Sequence, residues 1–302
     1  MSPSAALRLR VATYNIHKGV LRERFGLRAT ARIHELRARL HELNADIILL
    51  QEVQGQHQRH ARRLEHWPAE PQDIFLARAP SLRQSFESAY GANAHYLHGH
   101  HGNALLSRYP ILHQAQRDFS DHALEKRGVL HCVLELPVGP VHCFVVHFGL
   151  LAGSRERQLE ALIEWIRREV PATAPLIIGG DFNDWRNKLS LRLCDAVGVV
   201  EAFDSVRPRL AGRAAEFVRE QLQDMGMPVD PSIDRPRARV RTARTYPALV
   251  PWLRMDRIYL RGFSVTDARV MRGAAWARLS DHSPLVADVC TASLRQPSSQ
   301  GA

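Results

Sequence analysis

Cysteine is scarce: the chain has four, Cys132, Cys143, Cys194 and Cys290, and no two of them form a Cys-x-x-Cys pair. That spacing excludes a zinc ribbon and a disulfide framework, and makes buried free thiols in a reducing compartment the expectation. No apolar run in the sequence approaches the roughly 20 residues that a membrane helix needs. Met1 to Arg10 also lacks the apolar centre of a signal peptide. A soluble, cytoplasmic monomer is therefore expected, with a peripheral membrane contact left open. Internal repeats and low-complexity linkers are missing too, so residues 1–302 read as one domain with a flexible tail over 293–302. Acidic charge is in the minority, 31 Asp+Glu against 41 Lys+Arg, for a net charge of +10. A basic surface suits polyanions such as nucleic acid or anionic lipid headgroups, although it also serves solubility alone.

What is present is the balance of a globular protein, 45% hydrophobic and 24% charged residues. Leu7, Leu9 and Val11 alternate with arginines, a period-2 strand running into Thr13-Tyr14-Asn15. Ile33, Leu36, Leu40 and Leu43 fall on one helical face, as do Leu159, Leu162, Ile163 and Ile166. Short apolar runs at 47–50, 129–136, 141–148, 176–178, 258–260 and 285–289 read as buried strands. Such alternation predicts α/β layers around extended sheets. Two stretches read as irregular: 54–100, rich in His and Gln, and 204–254, an insertion with ten arginines and six prolines and one helix expected at 214–223.

Several apolar strands end in residues suited to metal or phosphate chemistry: Asn15, Glu52, His147, Asp181 with Asn183, and Asp281 with His282. Singly, each has an ordinary structural explanation, as a turn former, a surfacing strand end or a satisfied core histidine. Together they converge on phosphodiester hydrolysis assisted by a divalent cation. Mg²⁺ or Mn²⁺ takes oxygen ligands and keeps several waters, so one or two carboxylates suffice, and Glu52 fits as the principal ligand. Asp181, behind two glycines, fits as the group that orients or deprotonates the attacking water. The Asn183 amide fits a phosphoryl oxygen. Histidines add positive charge and move protons near neutral pH.

Thr13-Tyr14-Asn15-Ile16, Leu50-Gln51-Glu52-Val53, Gly180-Asp181-Phe182-Asn183, Met255-Asp256-Arg257-Ile258 and Leu279-Ser280-Asp281-His282 occur in that order. The ordered set resembles the endonuclease/exonuclease/phosphatase superfamily over residue 9 to about 290. The resemblance implies a four-layer α/β sandwich, with two packed mixed β-sheets flanked by helices. It also implies roles. Glu52 would bind metal, with Asn15 beside it and Asp281 near a second position. Asp181 would position the nucleophilic water, and Asn183 would hold the phosphate. Asp256 would fix the tautomer and charge of His282, which acts on phosphate or water. His147 matches the histidine that deoxyribonuclease-like and sphingomyelinase-like members place on the leaving-group side.

Asn103, in a strand leading to the site, is a candidate substrate contact. Arg235, Arg237, Arg239, Arg241 and Arg244 suit backbone phosphates, so DNA or RNA is the leading partner and a nuclease-like hydrolase the leading function. Leu249, Val250, Trp252 and Leu253 beside those arginines give the apolar-plus-basic mixture of an interfacial enzyme. A phospholipid headgroup phosphodiesterase is therefore the alternative. A catalytically idle binding protein is the remaining class, and it is disfavoured because no motif residue is missing. The cluster His57, His60 and His66 with Arg59, Arg62 and Arg63 reads as a solvated basic helix.

Overall fold

The structure, a computed structural model, describes residues 6–22, 29–80, 84–122, 125–206 and 243–291. The helix expected at 214–223, the arginines from 235 to 241 and the tail 293–302 lie outside the described residues. Fourteen strands follow in chain order: β1 Arg8–Asn15, β2 Val20–Arg22, β3 Ala29–Ala31, β4 Ile47–His57, β5 Glu87–Tyr96, β6 Gly99–Ser107, β7 Ile111–Asp118, β8 Gly128–Leu136, β9 Gly139–His147, β10 Leu176–Asp181, β11 Val200–Glu201, β12 Asp256–Arg261, β13 Phe263–Val270 and β14 Leu285–Thr291. One six-stranded sheet has the order β13-β14-β1-β4-β6-β5, and a second has the order β11-β12-β10-β9-β8-β7. Both are mixed: β1 pairs in parallel with β4, and β10 with β9, while their other neighbours are antiparallel.

The faces follow from the period of two. On β1, Leu9 and Val11 point into the space between the sheets, whereas Ala12 and Tyr14 point outward. On β4, Ile47 and Leu49 point inward and Ile48 and Leu50 outward, so an unbroken apolar run is what a strand buried on both faces requires. The inner layer joins Val11, Leu49, Leu105, Leu130, Val145, Ile177 and Ile258. Helix α1 (Ile33–Glu42) covers the outer face of the first sheet through Ile33, Leu36 and Leu40, as its heptad-like spacing predicts. Helix α2 (Gln58–Arg63) buries no residue, in keeping with its basic composition, and α3 (Gln72–Ala77) adds Phe75 and Leu76 to the outer cluster. On the far side α4 (Ala152–Glu169) and α5 (Ser190–Val197) cover the second sheet through Leu159, Leu162, Trp165 and Leu193. The result is the expected four-layer sandwich. Among the described residues no helix is long and apolar enough to cross a membrane.

The stretch 54–100 is not irregular, which corrects the reading of its sequence. It completes β4, forms α2, α3 and β5, and begins β6. The pattern was hidden because β4 shifts register between Leu50 and Val53 and again between Gln54 and His57. Each bulge breaks the alternation on which strand recognition depends. All four cysteines are free, including Cys132 and Cys143, which lie opposite one another on β8 and β9.

One buried histidine makes a prediction for the fold. His131 stacks on Phe144 at 4.3 Å and shares a hydrogen bond with His142 at 3.0 Å. Burial, and then the neighbouring His142 and His113, hold its imidazole down at about 4. The unfolded chain, with an ordinary histidine near 6.5, binds the proton first, so stability is full above about pH 6.5 and falls as pH drops towards 4. The loss should reach roughly 3 kcal/mol, at 1.36 kcal/mol per unit. His131→Phe should flatten this dependence in urea titrations at pH 7.5 and 4.5. An unchanged slope would assign the acid sensitivity elsewhere.

Candidate functional site

Asn15 closes β1, His147 closes β9, Asp181 closes β10 and Asp256 opens β12. Their parity continues that of Val11, Val145, Ile177 and Ile258, so all four side chains face the space between the sheets. Pairing brings them level: Asp181 is opposite His147 on one side and Asp256 on the other. Gly180 permits this approach. At its φ of 152°, an added Cβ would lie 1.9 Å from the carbonyl oxygen of Val146. His282 follows Asp281 in the turn before β14, and Ser280 secures that turn by donating from Oγ to the Asn15 carbonyl at 2.7 Å.

The Asp181 carboxylate is the centre of the arrangement and is almost wholly buried. Its Oδ1 accepts from the Asn183 backbone N–H at 2.9 Å. Its Oδ2 accepts from Asn15 Nδ2 at 3.2 Å and lies 3.6 Å from His282 Nε2 and 3.7 Å from His147 Nε2. Burial pushes its pKa up to about 6, against the opposing pull of His282. His282 Nδ1 is 2.9 Å from Asp256 Oδ2. Burial alone would lower this imidazole, but the carboxylates of Asp256 and Asp181 raise it to about 10, so it is cationic at neutral pH. His147 behaves oppositely. Burial, with Arg127 and His282 as neighbouring positive charges, drives it well below the usual range, so it is neutral. Two histidines at similar distances from one carboxylate thus hold different charges.

Glu52 lies beside this centre. It sits at the β4 bulge with φ 57°, a backbone conformation that re-aims its side chain out of the strand's alternation. Its Oε2 is buried, accepts no hydrogen bond, and lies 3.5 Å from Lys18 Nζ. Burial would raise its pKa, but Lys18 and His17 outweigh that and hold it below the ordinary carboxylate range. Asp281 is similar: burial works upward, while the hydrogen bond to His17 and the charge of His282 keep it low. His17 Nδ1 lies 3.3 Å from Asp281 Oδ1, and this contact raises the His17 pKa despite burial. His101 shares a pocket of about 590 Å³ with Lys18, Glu52, Lys126 and Arg127, and burial together with Lys18 lowers it to about 4.

The structure therefore gathers Asn15, Glu52, His147, Asp181, Asn183, Asp256, Asp281 and His282 at one end of the sandwich. Asn183 turns back there with φ 51° and donates Nδ2 to the Phe148 carbonyl at 2.9 Å. Asn103 stands apart from them. It is fully buried, and its Nδ2 bridges the sheets by donating to the carbonyls of Gly128 at 2.8 Å and Val145 at 3.1 Å. Arg244 is exposed, two residues before Tyr246, and Arg241 lies outside the described residues. Sequence reasoning missed His17, Lys18 and Tyr246, whose ring stands 5.0 Å from that of His282. The adjacent His17-Lys18, two residues beyond a strand-ending asparagine, was the available signal.

Among the described residues, two groups of side chains offer cation ligands. Asp181, Asp256 and His282 bring ligand atoms within 4.8 Å of one another. The short Asp256–His282 hydrogen bond and the positive charge on His282 oppose shared ligation there. Asn15, Glu52 and Asp281 present oxygens instead, one of them the Glu52 Oε2 that accepts no hydrogen bond, the donor set of a hard cation.

Comparison with known proteins agrees with this fold. The sequence model described as "Endonuclease/Exonuclease/phosphatase family" matches residues 12–282. The chain is 38% identical over 284 residues to the protein named "Uncharacterized protein YbhP" of Escherichia coli strain K12, covering 93% of this chain and 95% of that one. The endonuclease/exonuclease/phosphatase of Beutenbergia cavernae matches at TM-score 0.62 and 18% identity, over 94% of this chain and 72% of that chain. D. rerio TDP2, complexed with single strand DNA product, matches at TM-score 0.57 and 15% identity, over 93% of this chain and 98% of that one. At those identities the solved structures establish the fold.

The Asn103 bridge can be measured. Asn103→Ala should cost about 2 kcal/mol of unfolding free energy, because two carbonyls lose a buried donor. Denaturant titration would read it, and a loss below about 0.5 kcal/mol, the range of an ordinary surface change, would mean that the bridge is not a structural tie.

Proposed function

The chain belongs to the Endonuclease/Exonuclease/phosphatase family, and from that premise we propose that it is a divalent-metal-dependent phosphodiester hydrolase with Asp181 as the residue that positions and deprotonates water. The observation that carries this reading is a buried carboxylate, raised to about 6, between a neutral and a cationic histidine. A base of that strength is ionised at neutral pH yet still accepts a proton readily.

Asn15, Glu52 and Asp281 would hold the cation, Mg²⁺ or Mn²⁺. Bound there, it would offset the carboxylates and neutralise charge on the phosphoryl oxygens. The chain's own groups do the rest. The Asn183 N–H and the Asn15 amide hold the Asp181 carboxylate in one orientation, and Asp181 takes the proton of the attacking water. His282, with Asp256 on its Nδ1–H, directs its Nε2–H at a phosphoryl oxygen and stabilises the charge that grows there. His147, being neutral, offers a hydrogen bond to the leaving oxygen rather than a full proton. Asn183 keeps one amide N–H for the phosphate.

Nucleic acid is the substrate class we favour. The net charge of +10 and exposed Arg244 beside the site support it, with Arg241 as its expected partner. The TDP2 relative in complex with single strand DNA product is consistent with it. A phospholipid headgroup is the second reading, supported by Leu249, Val250 and Trp252, which are 72%, 68% and 62% exposed on the segment that brings Tyr246 to His282.

Asp181→Asn and His282→Ala should each lower turnover of bis-p-nitrophenyl phosphate by about 10²–10⁴-fold. Full activity in either variant would sink the mechanism, and activity that survives EDTA would sink the metal. Asp181 is productive when ionised, so turnover should fall as pH drops through about 6. Plasmid DNA and phospholipid vesicles, compared under Mn²⁺, separate the substrates. Cleavage of DNA should weaken steeply with salt, whereas hydrolysis of vesicles alone would favour the second reading.

A further inference from the structure

The turn after β1 has an unusual backbone. His17, Lys18 and Gly19 adopt φ of 44°, 62° and 64° in succession, opposite the left-handed Glu52. Left-handed non-glycine residues are costly and persist only where the surroundings impose them. The surroundings here do so. The Asn15 side-chain oxygen accepts from the His17 N–H at 3.1 Å, and the Gly19 carbonyl accepts from Arg32 N–H at 2.9 Å. Buried Gln72 donates Nε2 to the Lys18 carbonyl at 2.8 Å and accepts from the Gln54 N–H at 2.8 Å, tying the turn to the strand that carries Glu52.

The product of this backbone is a lysine ammonium and an imidazole, each placed against a carboxylate. Lys18 Nζ lies 3.5 Å from Glu52 Oε2, and His17 Nδ1 lies 3.3 Å from Asp281 Oδ1. Neighbouring residues of a single turn thus answer the two carboxylates assigned above to the metal. Those carboxylates stand close enough for Asp281 to repel the charge on Glu52. Without a positive charge between them they would push apart. Lys18 is also a long, half-exposed side chain on the wall of the 590 Å³ pocket, so it has somewhere to go.

We propose that the His17–Lys18 turn is a resident counter-cation, which holds Glu52 and Asp281 in ligating position in the metal-free protein and is displaced at Lys18 when the divalent cation enters. The proposal rests on the metal assignment of the previous section. It makes Lys18 a positioning residue whose charge competes with the metal for Glu52, so that removing the charge strengthens metal binding. A salt bridge serving only to hold the fold would not do that.

The test is calorimetric titration of Mn²⁺ into the full-length chain at fixed neutral pH without substrate, alongside thermal melting. Lys18→Met, which keeps the stem and loses the charge, should bind Mn²⁺ about three- to tenfold more tightly, the scale of one partly exposed ion pair and the associated repulsion. Lys18→Arg should stay within about twofold of wild type, because the charge is kept. In EDTA, Lys18→Met should melt below wild type, and saturating Mn²⁺ should cancel the deficit. Lys18→Gln repeats the measurement if the methionine variant does not fold. Unchanged or weaker Mn²⁺ binding in the neutral variants, with wild-type binding intact and lost in Glu52→Gln, overturns the competition and leaves the metal assignment standing. Failure of wild type to bind Mn²⁺, or undiminished binding by Glu52→Gln, overturns the assignment and the proposal with it.

Discussion

A carboxylate with almost no access to water must obtain its solvation from the protein, and Asp181 is that carboxylate. Burial disfavours its charge, and the donors that restore it come from separate parts of the chain: Asn15 on β1, Asn183 just beyond β10, and His282 before β14. Much else follows from this one requirement. Gly180 must lack a side chain so that β10 can close on Val146. Asp256 must stand behind His282, because an imidazole that is buried to this extent keeps its proton only beside carboxylates. Ser280 must tether the turn that delivers His282.

Charge is balanced locally rather than over the whole surface. Asp181 and Asp256 share the cation of His282, while Glu52 and Asp281 are answered by Lys18 and His17. His147 and His101 stay neutral because burial disfavours their charge and positive neighbours oppose it further.

The sheets and the residues at their ends were legible in the sequence for one reason: strands buried on both faces are short apolar runs, and a polar residue closing such a run is conspicuous. Asn15, His147 and Asp181 are readable in that way. Glu52 was readable as the residue that ends an apolar run, but its bulge and left-handed backbone were not predictable from alternation, and the same bulges concealed how far β4 extends. Asn103 illustrates the opposite ambiguity. A polar residue near a site reads as a substrate contact, whereas here a polar side chain in an apolar layer is spent on joining two sheets. His17 and Lys18 carry no periodic signal, since their importance comes from a turn held by the distant Gln72 and Arg32.

The inward parity of Asn15 on one sheet and of Asp181 on the other makes the reacting end a calliper whose opening is set by the hydrocarbon between its jaws. Val11, Leu49, Leu105, Val145 and Ile177 fill that gap, and protein interiors pack about as closely as organic crystals. A methylene added or removed there changes the spacing of the jaws before it changes any residue at the tip. Substitutions far from the reacting atoms, on side chains with no chemistry of their own, would thus tune or detune the enzyme by thickness alone.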